Sequence, residues 1–398
     1  MNKTEITGKQ MSGTVAMFLI GSALVSSGST SAKQDSWICI LTAAILVIPI
    51  LWVHSAILNL YPGRNYFYNV LRAMGRPAGT VVVALLTVYT LHLGALVLRI
   101  FSEFIHIINM KGTPIIAISS CIMAVIVYVM SNRLFVLSRI AKFVLPLLYL
   151  SVAMTILLSS KDMDLNNMLP IFETKPKDFW NGVLSSLALP YGEILVCAPM
   201  FGALDRKEKI FPTMLKGTLL ALIVLFAAFL RNLLVLGYSA TVYAFPSYGA
   251  VSVIQLGEFF TRIEVIIGIN LLLAGFIKTG VLVFSSCAGM AQLFGLKDYE
   301  PLVAPVALLI LTLAVLVHSN TVELFRFVKY LPAYSLPFQV VLPILVLIVG
   351  KARKQIQKKR TADPTFPHPG KADGQFRRKA LSLNEPNPLK SGENNAEN

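Results

Sequence analysis

Residues Ser185 to Gly202 read SSLALPYGEILVCAPMFG. The stretch from Leu184 to Gly202 is long and apolar enough to cross a bilayer. Its middle, however, holds Leu189, Pro190, Tyr191, Gly192 and Glu193, which place a helix breaker, a flexible residue and a carboxylate at mid-depth. Proline removes a backbone donor and glycine favours non-helical dihedrals, so the segment reads as two half-helices joined by a short extended piece. In hydrocarbon, unwound backbone survives only where protein or a wet cavity covers it, and a carboxylate there costs about 2.5–3.5 kcal/mol on insertion scales. The stretch therefore reads as the floor of a binding site. The plainer alternative is a proline-kinked span whose glutamate is neutral and hydrogen-bonded to a neighbouring helix.

The rest of the chain suits a polytopic membrane protein. Of its 398 residues, 55% are hydrophobic and 14% charged, with a mean hydropathy of +0.68, a balance that excludes an ordinary soluble domain. Met1 to Gln10 is polar and no small-residue cleavage site follows the first apolar run, so no cleavable signal peptide is expected. Cys39, Cys121, Cys197 and Cys287 each fall in a different apolar run, without paired or metal-ligand spacing. The net charge of +15 resides in short loops and the carboxy-terminal tail, not in an aromatic-interleaved patch, so no nucleic-acid partner is expected.

Windows of about 20 apolar residues predict ten transmembrane helices, near 11–30, 38–60, 80–108, 114–132, 141–159, 184–203, 214–237, 263–290, 301–318 and 335–350. Loops on the amino-terminal side carry Arg64, Arg72, Arg76, Arg133, Arg139, Lys142, Arg206, Lys207 and Lys209, and the opposite loops are poorer in Lys and Arg. The charge bias puts both termini in the cytoplasm. Residues 1–352 then form the ten-helix domain, and 353–398, rich in prolines and basic residues, a disordered cytoplasmic tail whose basic start can lie on anionic lipid.

The first span also breaks at mid-depth, at Gly21 and Ser22 in MFLIGSALVSSGSTSAK. Interrupted helices at matching positions of two halves point to a five-plus-five inverted repeat, all-α, with broken helices 1 and 6 and a site at the midplane. A close-packing surface of small residues is the alternative for the first span. The candidate ligand residues are Gly21, Ser22, Ala23, Leu189, Pro190, Tyr191, Gly192 and Glu193. Half-helices starting after Ser22 and Gly192 would offer amides to an anion, and those ending near Ile20 and Leu189 would offer carbonyls to a cation, a pair complementary to a zwitterion such as a free amino acid. Arg99 and Glu103, four apart near the outer end of span three, read as a within-helix ion pair or an outer gate. The segment from Gly237 to Glu264 has helical apolar spacing and reads as a re-entrant lid on the outer face. No phosphate loop, nucleophile pattern or metal-spaced histidine pair is visible, so neither an enzyme nor a cofactor or metal is expected.

Further residues carry a resemblance through most of the membrane region. Gln10 with Ile20-Gly21-Ser22, Trp37 opening span two, LRIFSEFIHIINMKGTP from Leu98 to Pro114, LPYGE, RNLLVLG from Arg231, FPSY from Phe245, Arg262-Ile263-Glu264 and Phe276-Ile277-Lys278 together resemble the B subunit of the spore germinant receptors of endospore-forming Firmicutes. The resemblance implies the amino acid, polyamine and organocation transporter superfamily, a LeuT-like fold and residence in the inner spore membrane. It also implies receptor A and C subunits as partners and a small germinant, such as an amino acid, as ligand. In transporters of this fold a sodium ion lies between spans one and eight, so Lys278 is expected to act as a built-in cation on the carbonyls near Ile20, with pairing to Glu193 as the alternative.

Overall fold

The computed structural model describes residues 5–23, 30–108, 110–241, 243–252, 264–318 and 320–362. Among them the structure is helical, and the only β-like feature is a single bridge. In lipid every backbone group must be satisfied inside its own segment, which is why apolar runs of this length become helices. Among the described residues seven helices are long and apolar enough to span a membrane, and an eighth span results if a bent pair is counted as one. The remaining two predicted spans coincide with shorter helices, α1 (Gly8–Ala23) and α5 (Ile115–Ser131). Chain contacts divide into two units, Met1–Gly350 and Lys351–Asn398.

The second, third and fifth spans are α2 (Ser36–Leu58), α4 (Arg76–Ile108) and α6 (Leu134–Leu158), with the short α3 (Tyr66–Met74) before the third. The sixth comprises α7 (Pro176–Ala188) and α8 (Ile194–Cys197), and α9 (Ile210–Leu236) is the seventh. After α10 (Pro246–Ser252) come α11 (Glu264–Phe294), α12 (Val303–Leu316), α13 (Thr321–Val328), α14 (Leu331–Leu336) and α15 (Leu342–Ala362). At the centre α1 packs on α6, α9 and α11, while α4 packs on α11 and α12.

The amino-terminal end of α1 is fastened to the end of the sixth span. Thr7 and Gln10 form a reciprocal cap, Thr7 N donating to Gln10 Oε1 at 3.1 Å and Gln10 N to Thr7 Oγ1 at 3.4 Å. Glu208 accepts from Gly8 N at 3.3 Å, placing a carboxylate at the positive end of the helix. Ile6 adds a parallel bridge to Leu204, with Ile6 N to Ala203 O at 2.9 Å and Asp205 N to Ile6 O at 3.0 Å. On the opposite side, buried Arg231 of α9 donates to Thr155 Oγ1 at 2.8 Å, to Asn232 Oδ1 at 2.6 Å and to Ser247 O at 3.3 Å, joining α9 to α6 and α10.

Two expectations change. The first span does not break at Gly21 and Ser22, because α1 continues to Ala23. A Cβ on Gly21 would stand 2.9 Å from Ala274 O and 3.0 Å from Lys278 Cβ, so this glycine admits α11 to close contact instead of unwinding the chain. Residues 24–29, where an outer half-helix would lie, are outside the described residues. Secondly, the last helix continues past residue 352 to Ala362, through a run of Lys, Arg, Gln and Ala that favours helix and contains no Gly or Pro, so the start of the predicted disordered tail is helical. Residues 363–398 lie outside the described residues. The predicted ninth span is filled by α12, and the bent pair that α12 forms with α13 turns through 103°. Of the predicted outer lid, α10 is described and residues 253–263 are not.

Candidate functional site

The sixth span is interrupted where its sequence requires it. Leu189 caps α7 in an extended conformation (φ −138°, ψ 111°), so the helix stops at Ala188. Tyr191–Glu193 follows as one 3-10 turn, α8 supplies a single α-turn, and Ala198–Ala203 is again 3-10. Pro199 and the lack of a longer α-helical run leave no second half-helix of useful length. The expected anion-attracting helix start after Gly192 is therefore reduced to four residues, too short to sum a macrodipole. All of Leu189 to Glu193 is buried.

Three elements meet at this interruption. Lys278 of α11 is fully buried, and its Nζ donates to Glu193 Oε2, whose residue is 1% exposed. The Lys278 ammonium also lies 4.3 Å from the ring centroid of Phe18 on α1, a cation–π contact in a desolvated setting. Its stem runs against Gly21. Lys278 is thus the counter-ion of Glu193, and the expected docking on the α1 carbonyls near Ile20 is replaced by that pairing. A carboxylate is a far stronger acceptor than a helix carbonyl for a charge taken out of water, which is why it wins. The structure brings Gly21, Tyr191, Gly192, Glu193 and Lys278 into one region, while Ser22 and Ala23 continue the helix beyond Gly21.

Other residues complete the surroundings, and none carried a signal in the sequence. Gln339, buried within a π-helical turn (Pro337–Val341), donates from Nε2 to Ala188 O at 3.0 Å and to the Tyr89 hydroxyl at 2.9 Å. A Cβ at position 192 would collide with its carboxamide oxygen, so only glycine fits there. Tyr89 stacks on Phe338 with centroids 4.9 Å apart, and His92 accepts or donates to the Tyr334 hydroxyl at 3.1 Å. A lone glutamine or tyrosine in an apolar run has no spacing partner that would single it out.

Beside Glu193 lies a narrow cavity of about 30 Å³, lined by Leu93, Leu96, Leu189, Phe325, Val328 and Leu331 among others. It joins the broken span to α4 and α13 and is apolar apart from Glu193. A void that small holds a few atoms, so an amino acid enters only when a wall moves. A larger cavity of about 400 Å³ lies between helix ends near the start of α1, with Arg64, Arg133, Arg206, Lys297 and Glu300 on its rim. Its walls do not include Leu189 to Glu193.

Arg99 and Glu103 bond as an i,i+4 pair at 2.9 Å, and both are buried. They also reach outside their helix: Arg99 Nη1 donates to Ala314 O at 3.3 Å, and Glu103 Oε2 accepts from Thr321 Oγ1 at 2.7 Å.

Comparison with known proteins agrees with this architecture. Residues 5–322 match the family described as spore germination protein. Spore germination protein KB of Bacillus subtilis (strain 168) is 26% identical over 366 residues, 90% of this chain and 98% of the relative. The putative spore germination protein YfkT of the same organism is 24% identical over 81% of this chain and 89% of its own length. Among solved structures, Mhp1, a nucleobase-cation-symport-1 family transporter in a closed conformation with bromovinylhydantoin bound, aligns at a TM-score of 0.64 with 13% identity, over 86% of this chain and 78% of that one. MhsT in complex with L-phenylalanine aligns at 0.62 with 12% identity, over 85% and 97%. Likeness at that identity establishes the fold, that of LeuT-like transporters, and an integral membrane protein with it.

Proposed function

Because the chain belongs to the family of spore germination proteins, we propose that it is the nutrient-sensing subunit of a germinant receptor, which binds an amino acid or similar small germinant at mid-membrane and signals to A and C partner subunits. It resides in the inner spore membrane with both termini cytoplasmic, and it performs no catalysis. Family and fold are of permease type, and the observation that carries the reading is the buried interruption of the sixth span. There Tyr191, Gly192 and Glu193 leave the helix beside α1 and α11, and Leu189 and Glu193 line a cavity. Unwound backbone at that depth is the form a transporter-type site takes. The ligand contacts are assigned to Gly21, Ser22, Ala23, Leu189, Pro190, Tyr191, Gly192 and Glu193. Lys278 occupies the carboxylate of Glu193 until a ligand competes for it.

The test is the nutrient dose needed for germination. Tyr191→Phe removes one buried hydroxyl, and Gly192→Ala pushes a methyl group into Gln339. Each is expected to raise the half-maximal nutrient concentration about tenfold, the effect of one lost hydrogen bond or a modest misfit, with protein present at the normal level. Spores of both variants that respond at the ordinary dose would remove the site from this region.

The shared fold with two transporters favours a second reading, a stand-alone amino-acid permease or proton-coupled exchanger. Uptake of a labelled amino acid into liposomes holding only this protein separates the two. Accumulation above that in empty vesicles supports the permease, and its absence with intact binding supports the sensor.

A further inference from the structure

The tenth span changes its winding at the depth of the site. Between α14 and α15 the residues Pro337–Val341 adopt a π-turn, the irregularity most often found where a helix presents a functional side chain. The extra residue in that turn brings Gln339 inward, and its side chain is fully buried. Its orientation is fixed by chemistry: Ala188 O can only accept, so the group facing it is the NH2, and the carboxamide oxygen points the other way, against Gly192. No donor among the described residues reaches that oxygen. The Tyr191 hydroxyl, one residue away on the interrupted span, is likewise buried and without a partner among the described residues. The unmet oxygen of Gln339 is therefore directed at the interruption, at Gly192, with the carboxylate of Glu193 on the same 3-10 turn.

We propose that Gln339 is a further ligand-contacting residue, whose carboxamide oxygen accepts an N–H from a bound small molecule carrying a primary ammonium group. A ligand ammonium that takes the place of Lys278 on Glu193 gains a carboxylate as well as the Gln339 oxygen, which a neutral donor does not, and the anchoring of Gln339 Nε2 on Ala188 O and Tyr89 keeps that oxygen aimed while the ligand enters and leaves. The same anchoring gives ligand binding a direct link from the sixth span to the third and tenth. This inference rests on the interruption being the ligand site.

The experiment uses the full-length protein in lipid nanodiscs, probed with the twenty L-amino acids and, for each that binds, its des-amino carboxylic acid. The wild type is expected to prefer the amine-bearing form. Gln339→Met fills the same space without an oxygen and is expected to weaken the amine-bearing form about 10- to 100-fold while changing the des-amino form little, so that the preference collapses. Equal weakening of both forms by Gln339→Met would reveal a purely structural role and overturn the inference. If Gly192→Ala weakens binding while Gln339→Met leaves the amine preference intact, the inference fails and the site stands. If no amino acid binds the wild type, or neither variant alters binding, both fail.

Discussion

Lys278→Met alone is expected to destabilise the membrane domain by about 3–5 kcal/mol, the usual consequence of leaving one member of a buried ion pair without its partner. Glu193 would then be a carboxylate with 1% exposure beside apolar cavity walls. Glu193→Gln alone strands the ammonium, which is fully buried. The double change Lys278→Met with Glu193→Gln removes both charges at nearly constant volume and is expected to restore most of the loss. Thermal unfolding of the purified variants, followed by size-exclusion chromatography after heating, measures all three. A double variant whose loss equals the sum of the single losses would show that the two side chains act independently, contrary to the contact between them.

The same cycle separates stability from response. With Lys278 engaged by Glu193, the ammonium is a counter-ion first, and wild-type function is expected to be indifferent to sodium because the site already contains its own cation. The double variant retains the fold but has neither the carboxylate that attracts an ammonium ligand nor the lysine that competes for it. It should therefore be stable and unresponsive, a combination that packing alone does not produce.

Hydropathy made the helices legible, and Pro190 with Gly192 made one interruption legible, since both act through local backbone chemistry that needs no neighbour. Gly21 misled for a related reason. Glycine serves both to unwind a chain and to let helices touch, and only the position of Ala274 and Lys278 against it decides which. The pairing of Lys278 with Glu193 was readable as one of two options, because an intramembrane charge requires a partner but its sequence position does not name one. Gln339 was not legible at all. Its importance comes from a π-turn and from Ala188 O and Tyr89, 151 and 250 residues away in the chain.

Arg99 and Glu103 provide the second large effect, because one ion pair on α4 holds both sides of the bend between α12 and α13. Where α12 ends, its last-turn carbonyls lack intrahelical donors, and Arg99 supplies one to Ala314 O. Glu103 takes the Thr321 hydroxyl at the start of α13, a helix further fixed by the Asn320 cap on Glu323 N at 2.9 Å. Phe325 and Val328 of α13 wall the cavity beside Glu193. The pair therefore works as a latch on a cavity wall as well as an in-helix bridge. Glu103→Ala leaves a buried guanidinium without its carboxylate, a loss of about 3–5 kcal/mol, and frees the first turn of α13. The expected outcome is faster modification of a cysteine placed at Val328, by about tenfold or more if α13 loses even half that energy. The measurement is the maleimide labelling rate of Val328→Cys in a background where the exposed Cys121 is serine. Arg99→Lys keeps the charge but gives up the planar fork that bonds Glu103 and Ala314 together, and should fall between wild type and Glu103→Ala. Labelling at the wild-type rate in a Glu103→Ala protein of unchanged thermal stability would reduce the pair to a bridge within one helix and leave the cavity wall held by packing alone.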